Sequence, residues 1–599
     1  MLPTLQAART LFAAGEMVAA ADMLAALDAA GAADAMALHL WGMTLSQLDR
    51  PEEAAVVLER AIAAAPSLSN AKADLAEICA KSGDDDRAIT LLRSVNECVP
   101  GHTSGRKLAE LLVAKALPLV EDARYAEALP LLQEAVQLNL TVPDALALLG
   151  MTLSRVGSPW QAEQVLREAL WLYPGHFGSM TNLAGVLDIL NRPQEAEALC
   201  RQVIGEHAPD LAAAWCNLGA ALRSQGRIEE AQAIFEKALA MEPDLMPAMA
   251  NLGTLHSIEG RVDASVTLYK RALNLPHGGP LVRFLYACDR LKAGDWETGW
   301  QLYEGRASQF PTTNPWPGLA GLPSWPGGDP RGLRILVETE QGLGDSLHFF
   351  RYAQLLADRG ATVGLLTPPP LVRLFRLSAP GLSIIPAETP TDPADWDFGV
   401  PLLSLPHRFG TRIDTMPAAM PCFRPDPADV AAWKPRVDAL PGLKVGLVWA
   451  GGARPQDPLA TGIDQRRSMT LSALAPLASV KGVDFVSLQK GPPAVQGAEA
   501  PFPLHDWTED IGDMADTAAL ASLLDLVIAV DTSVAHLAGG LDRPVLLLSR
   551  YDGCWRWLRD RDDTPWYPRM RLFRQRRWAD WTAPVEEVTA ALAALAENR

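Results

Sequence analysis

Residues 212–244 read AAAWCNLGAALRSQGRIEEAQAIFEKALAMEPD, two amphipathic helical runs joined by a polar turn and closed by a proline. The pattern recurs outward in both directions. The small residue early in the second run returns as Ala20, Ala54, Ala88, Ala128, Ala162, Ala196, Ala231, Ser265 and Gly299, at spacings of 34, 34, 40, 34, 34, 35, 34 and 34. Four positions later stands a bulky apolar residue, for example Leu24, Leu58, Leu92, Leu132, Leu166, Phe235, Tyr269 and Tyr303. The first run carries Gly42, Gly150, Gly219 and Gly253, where helix backbones must pass closely. Pro66, Pro100, Pro174 and Pro243 close repeats at a point where no helix need continue. About nine units fill residues 1–305, with degenerate first and last members and a six-residue insertion near 103–120. A helix pair of this kind cannot bury its apolar face alone, so neighbours stack and leave a concave groove. Such a groove holds a peptide or partner helix, or the array only spaces or pairs the chain. Nothing in the array reads as catalytic, and Asp84–Asp86 read as a solvated turn.

The composition narrows the class. The 599 residues are 49% hydrophobic and 21% charged, with a formal charge of −18 that argues against nucleic acid as a partner. No run of eighteen apolar residues predicts a transmembrane segment. The opening MLPTLQAARTLFAAGEM reads as a helix rather than a leader. Seven scattered cysteines without a CxxC pair fit reduced thiols and a cytoplasmic location. The ten histidines show no HExxH or other ligand spacing, so no metal is expected.

After residue 305 the period of 34 ends. Residues 306–331 are rich in Pro, Gly and Trp and read as a linker. Short apolar strands then alternate with helices: RILVETE (334–340), ATVGLLT (361–367) and LSIIP in a first lobe over 332–435. LKVGLVWAGG (443–452), DFVSLQKG (484–491), LVIAV and PVLLLS form a second lobe over 436–599. The expected fold is α + α/β, an all-α repeat region followed by two Rossmann-like lobes with parallel sheets. Ligands of such sheets lie at the carboxyl ends of the strands.

The candidate residues stand at those ends. Gly342 and Gly344 join a strand to a helix whose N-terminus favours an anion. Asp345 behind them is either a base or an ordinary helix cap. In the second lobe Asp531, Thr532 and Ser533 lead from a strand into a helix and suit a diphosphate. His536, one turn on, either donates to a phosphate or packs. Gln489 and Lys490 end another strand, and Arg466 and Arg467 lie in a polar loop, PQDPLATGIDQRRS. The lysine and both arginines either contact the ligand or serve the surface.

The repeat at 212–244 resembles the tetratricopeptide (TPR) pattern at Trp215, Leu218, Gly219, Ala231, Phe235, Ala238 and Pro243. EQGLGDSLHFFRYAQLLADRGA, VGLVWAGG, SLQKG, DLVIAVDTSVAHLAGGLDRPV and WRWLRDRDDTPWYPRMRLFRQ resemble bacterial TPR-linked glycosyltransferases. Their catalytic half is similar to the GT-B heptosyltransferases, and the layout to O-linked N-acetylglucosamine transferases. The resemblance implies inverting, metal-independent transfer from a nucleotide sugar, with no other cofactor. Asp345 would act as base on the acceptor hydroxyl, Gly342 and Gly344 would shape the acceptor loop, and Asp531, Thr532, Ser533 and His536 would bind donor phosphates. Trp449, Arg466, Arg467, Gln489 and Lys490 complete the expected donor site. The implied acceptor is Ser or Thr of a protein held by the repeats, with flagellin and a nonulosonic acid from a CMP donor as the specific expectation. A surface-glycan transferase and a repeat scaffold with an inactive lobe are the alternatives. The chain departs from its relatives at Gly451-Gly452 with the longer loop that follows, and at Gly553-Cys554-Trp555-Arg556-Trp557. The closing segment APVEEVTAALAALAEN is expected to form a helix that returns to the first lobe.

Overall fold

The structure, a computed structural model, describes residues 4–138, 142–276, 278–309, 316–452, 454 and 456–597. It divides into two compact units, residues 1–187 with 205–208, and residues 188–204 with 209–599. The division falls inside the repeat region, so the last repeats share a unit with everything that follows.

Helix pairs run from Leu5–Ala13 with Met17–Ala29 to Pro280–Lys292 with Trp296–Tyr303, nine pairs among the described residues. Within each pair the turn is made by one residue of positive φ: Gly15, Asp49, Gly83, Ala123, Gly157, Asn191, Gly226, Gly260 and Gly294. The glycines of the first helix work differently from the expectation. A side chain of the second helix, not its backbone, fills the space beside them. A Cβ on Gly219 would lie 2.6 Å from Phe235 Cε1, and one on Gly42 would lie 2.5 Å from Leu58 Cγ. The spacing of 40 has a simple origin. The helix Gly105–Glu121 has 17 residues where Ser69–Lys81 has 13, and the connection before it has six residues (99–104) against four (65–68), which adds six.

The chain then forms two parallel sheets. The first has strands β1 (Arg334–Glu338), β2 (Thr362–Thr367), β3 (Ser383–Pro386) and β4 (Phe398–Pro401) in the order β3-β2-β1-β4. The second has β5 (Leu443–Val448), β6 (Val483–Ser487), β7 (Leu504–Asp506), β8 (Leu526–Val530), β9 (Val545–Ser549) and β10 (Met570–Arg574) in the order β10-β9-β8-β5-β6-β7. Both orders reverse direction beside their first strand, so the switch points lie between β1 and β4 and between β5 and β8. Arg373 ties the two lobes together by donating to Asp513 at 2.9 and 2.7 Å and to Asp516, and within its own lobe it donates to Asp429 at 2.5 Å. The closing helix, Thr582–Glu597, does not return to the first lobe. Its apolar stripe Val585, Val588 and Leu592 is buried with Leu474, Leu477 and Phe573 on a face of the second sheet.

The last helix pair is part of the α/β core. Trp296, Trp300 and Tyr303 are buried in one cluster with Phe349, Trp325, Trp555 and Trp566. Trp300 meets Phe349 and Trp555 edge-on, with ring centroids 6.0 and 5.3 Å apart, and Trp296 stacks on Trp566 at 5.0 Å. Turns that join the two helices of a pair also meet the α/β region. Asn191 Nδ2 donates to the Pro458 carbonyl at 2.8 Å, Gly226 lies against Trp578, and Gly294 faces Ile413. Near the Gly260 turn, Arg559 donates to Ser257 Oγ at 2.9 Å and Asp289 at 2.7 Å. Trp300→Ala is expected to cost about 3–5 kcal/mol, the loss for a fully buried aromatic. Trp171→Ala, whose ring is 80% exposed, is expected to leave stability within ~0.5 kcal/mol. Denaturant midpoints of the two variants check both.

Candidate functional site

β1 ends at Glu338, and the backbone turns through Thr339–Gly342 into the helix Leu343–Asp358. Gln341 sits at φ +62° in this turn, an uncommon conformation for a side chain with a Cβ. It is held there by its amide, which donates to Tyr303 Oη at 3.0 Å. Glu340 beside it accepts from Arg306 at 2.6 and 2.8 Å and from the Leu403 N–H at 3.0 Å. The last repeat therefore fixes the loop that carries Gly342, Gly344 and Asp345.

β8 ends at Val530, and Thr532 caps the helix Ser533–Gly540. Each strand thus delivers its helix N-terminus to the same place. Gly344 makes the approach possible: a Cβ there would lie 3.3 Å from His536 Cδ2 and 3.5 Å from Ser533 Cα. The structure brings together Gly342, Gly344, Asp345, Asp531, Thr532, Ser533 and His536, which the sequence placed in separate lobes. Thr532 is 7% exposed, and its buried Oγ1 has no partner, although a cap hydroxyl ordinarily accepts a helix N–H.

Asp345 accepts the Gly342 N–H through Oδ2 at 2.9 Å and an Arg556 N–H through Oδ1. Burial works against the Arg556 charge, and the facing Asp345 carboxylate together with Cys554 and Tyr303 outweighs it, which raises the guanidinium above its ordinary value. Arg467 donates from Nη1 to the Asp531 carbonyl at 2.9 Å and pairs with Asp464. Gly451 admits this arginine, since a Cβ there would lie 2.7 Å from Arg467 Nε. The stretch read as a polar loop contains a helix, Pro458–Arg467, begun by the Asp457 side chain accepting the Ala460 N–H.

His536 is buried. Burial first, then the Arg556 charge, pushes its imidazole down to about 3. Its ring stacks on Trp557 with centroids 5.3 Å apart, and its Nε2 lies 4.0 Å from Asp531 Oδ1.

Other candidates do not reach this junction with their side chains. Trp449 is fully buried in the core on one face of the second sheet. Gln489 braces the ends of β5 and β6, accepting the Trp449 and Ala450 N–H groups at 3.1 and 2.8 Å. Lys490 Nζ donates to the carbonyls of Thr508 and Ile511, both at 2.7 Å. Arg466 pairs with Asp552 at 3.3 Å. Residues that sequence reasoning did not select stand in their place: Arg556 on Asp345, Tyr303 and Arg306 behind the loop, and Tyr567 on His536. Arg556 and Tyr567 fall within the motif stretch that carries the family resemblance, which was their only signal. Among the described residues no group of three His, Cys, Asp or Glu side chains is placed to hold a metal. No helix among them is long and apolar enough to cross a membrane.

Models of the tetratricopeptide repeat match residues 45–112, 178–205 and 194–244. The chain carries TPR repeats. Over 476 residues it is 26% identical to Protein FlbA of Caulobacter vibrioides, covering 74% of this chain and 77% of that protein. Among solved structures, YrrB, described as a TPR protein with an unusual peptide-binding site, aligns at 20% identity and TM-score 0.26 over 32% of this chain and 95% of its own. Pseudomonas aeruginosa PilF aligns at 19% identity and TM-score 0.26 over 35% and 95%.

The buried imidazole makes a testable link to pH. A group held neutral in the fold at about 3 but titrating near 6.5 when unfolded stabilises the protein above 6.5, and that contribution is lost as pH falls. Glu338 acts in the opposite sense, because burial pushes its carboxyl up to about 7. The test is therefore a difference. Between pH 7 and pH 5, His536→Asn is expected to lose about 2 kcal/mol less stability than the wild-type chain, measured from denaturant midpoints at the two pH values.

Proposed function

We propose that the chain is a metal-independent, inverting glycosyltransferase of the GT-B fold that moves a sugar from a nucleotide donor to Ser or Thr of a protein held by its repeats. One observation carries the reading: two helix N-termini converge at the carboxyl ends of β1 and β8, beside a buried hydroxyl without a partner. Free N–H groups and aligned peptide dipoles at such a point attract a phosphate. Arg467 sets the β8 end, and Arg556 adds a buried positive charge.

The leaving group of a nucleotide sugar is a phosphate whose negative charge grows as the glycosidic bond breaks. Oriented N–H groups and cations that meet this charge are commonly the largest catalytic contribution. Asp345 stands on the same junction as the base. A carboxylate has about four acceptor positions, and two are used by Gly342 and Arg556. The remaining positions take the acceptor hydroxyl's proton as its oxygen attacks the anomeric carbon. His536, kept neutral, donates one N–H to the departing phosphate. In the specific form of the proposal, the acceptor is flagellin and the donor a CMP-linked nonulosonic acid, as the family resemblance implies. Peptide binding by TPR folds supports a protein acceptor.

Asp345→Asn is expected to lower transfer by roughly 10²–10⁴-fold, the usual weight of a general base, while nucleotide affinity stays within a few-fold. His536→Ala is expected to raise the donor KM before it lowers kcat. Both are read by intact mass of flagellin incubated with the chain and CMP-nonulosonate. Transfer by Asp345→Asn at the wild-type rate would remove the base assignment.

A further inference from the structure

Tyr567 Oη stands between two buried imidazoles, 3.0 Å from His536 Nδ1 and 3.1 Å from His348 Nδ1. The tyrosine lies against the His536 helix at Gly539, where a Cβ would fall 2.7 Å from Tyr567 Cδ1. His348 projects from the Asp345 helix and is caged by Phe349 and Trp566, with ring centroids at 4.6 and 4.3 Å. The two helices that converge on the candidate site are thus joined by one hydroxyl, one turn behind their N-termini.

Proton counting restricts this arrangement. A neutral imidazole has one N–H and one bare nitrogen, and a phenol has one proton and two lone pairs. Buried between them, the phenol donates its single proton to one of the two Nδ1 atoms, and the other, which faces a lone pair of the oxygen, has to be a donor. One Nδ1 must therefore carry a proton and donate, and the other must be bare and accept. His348 Nε2 decides which. It is buried without any partner, and an orphaned N–H is rarer in a protein interior than an orphaned acceptor. His348 then keeps its proton on Nδ1, Tyr567 donates its O–H to the bare His536 Nδ1, and the His536 proton rests on Nε2. That nitrogen faces Asp531 Oδ1 at 4.0 Å, at the carboxyl end of β8.

We propose that Tyr567 and His348 are positioning residues that lock His536 in the Nε2–H tautomer, so that the imidazole presents a donor and not a lone pair to the β8 end. The purpose of this lock rests on the donor-site reading above, because an Nε2–H binds a phosphate oxygen and a bare Nε2 repels it. Its existence does not.

The experiment is a long-range ¹H–¹⁵N correlation spectrum of the full-length chain labelled in histidine, recorded without nucleotide. Protonated and bare ring nitrogens resonate far apart, and His348→Gln and His536→Gln assign the peaks. The expected wild-type pattern is His536 protonated at Nε2 and His348 protonated at Nδ1. In Tyr567→Phe the His536 pattern is expected to become a mixture of both tautomers, with affinity for any nucleotide the wild-type chain binds falling in proportion to the Nε2–H fraction, about twofold for an even mixture. A wild-type His536 protonated at Nδ1, or both histidines protonated at Nε2, overturns the proposal, and so does an unchanged His536 pattern in folded Tyr567→Phe. If Tyr567→Phe does not fold, the wild-type pattern still decides. A chain with the expected pattern that binds no nucleotide would leave the lock standing and remove the donor-site reading.

Discussion

The approach of two helix N-termini across Gly344 is the constraint on which the rest of the candidate site depends. A methyl at that position would already crowd His536 by a few tenths of an ångström, and a larger side chain would push the helices apart. With hydrogen alone there, the positive ends of two dipoles point at one volume, an arrangement that is unfavourable until negative charge offsets it. The protein supplies part of that charge through Asp345, which pairs with Arg556, and through Asp531, whose carbonyl accepts from Arg467 while that arginine pairs with Asp464. The junction is built of matched charges with little slack. A ligand phosphate would enter the same field.

The neutral histidines follow from that balance. An imidazolium beside a buried Arg556 would add a second cation, so burial and the arginine both hold His536 neutral. A neutral imidazole must still commit its single proton to one nitrogen, and Tyr567 makes that commitment a matter of hydrogen-bond counting. The same logic places the repeats close to the chemistry. Tyr303 and Arg306, at the end of the last repeat, hold the strained turn at Gln341 and the carboxylate of Glu340, one and two residues before Gly342. The turns at Asn191, Gly226 and Gly294, with Ser257 and Asp289 around the Gly260 turn, support residues 413, 458, 559 and 578. In the second unit the repeat region and the α/β region are one packed body.

Much of this was legible in the sequence, for physical reasons that also explain the gaps. The repeat period survives because one positive-φ turn and one small residue are needed in every helix pair. Buried strands such as LVIAV and PVLLLS announce themselves as apolar runs. FGVP (β4), LHD (β7) and MRLFR (β10) do not, because each lies at a sheet edge, where the chain is short or alternates with charge. The loops after β1 and β8 were found because glycines, hydroxyls and acids mark strand-to-helix turns. Arg556 and Tyr567 lie far from those turns in sequence and meet them only through packing. Lys490 and Trp449 show the converse, since residues near strand ends are as often spent on backbone carbonyls or core as on ligands. The returning helix failed as an expectation because its apolar stripe matched a nearer surface.

The most direct test of the central claim is a thermal-shift panel of the full-length chain against UDP, GDP, ADP and CMP. A nucleotide at ~100 times its dissociation constant should stabilise the unit that binds it by roughly 2.7 kcal/mol. The account predicts selective stabilisation by one nucleotide, with CMP as the specific expectation, and loss of that response in Thr532→Val with Arg467→Ala. Absence of a response to all four, or a response unchanged in that double variant, would contradict a nucleotide site at the junction of the two helices.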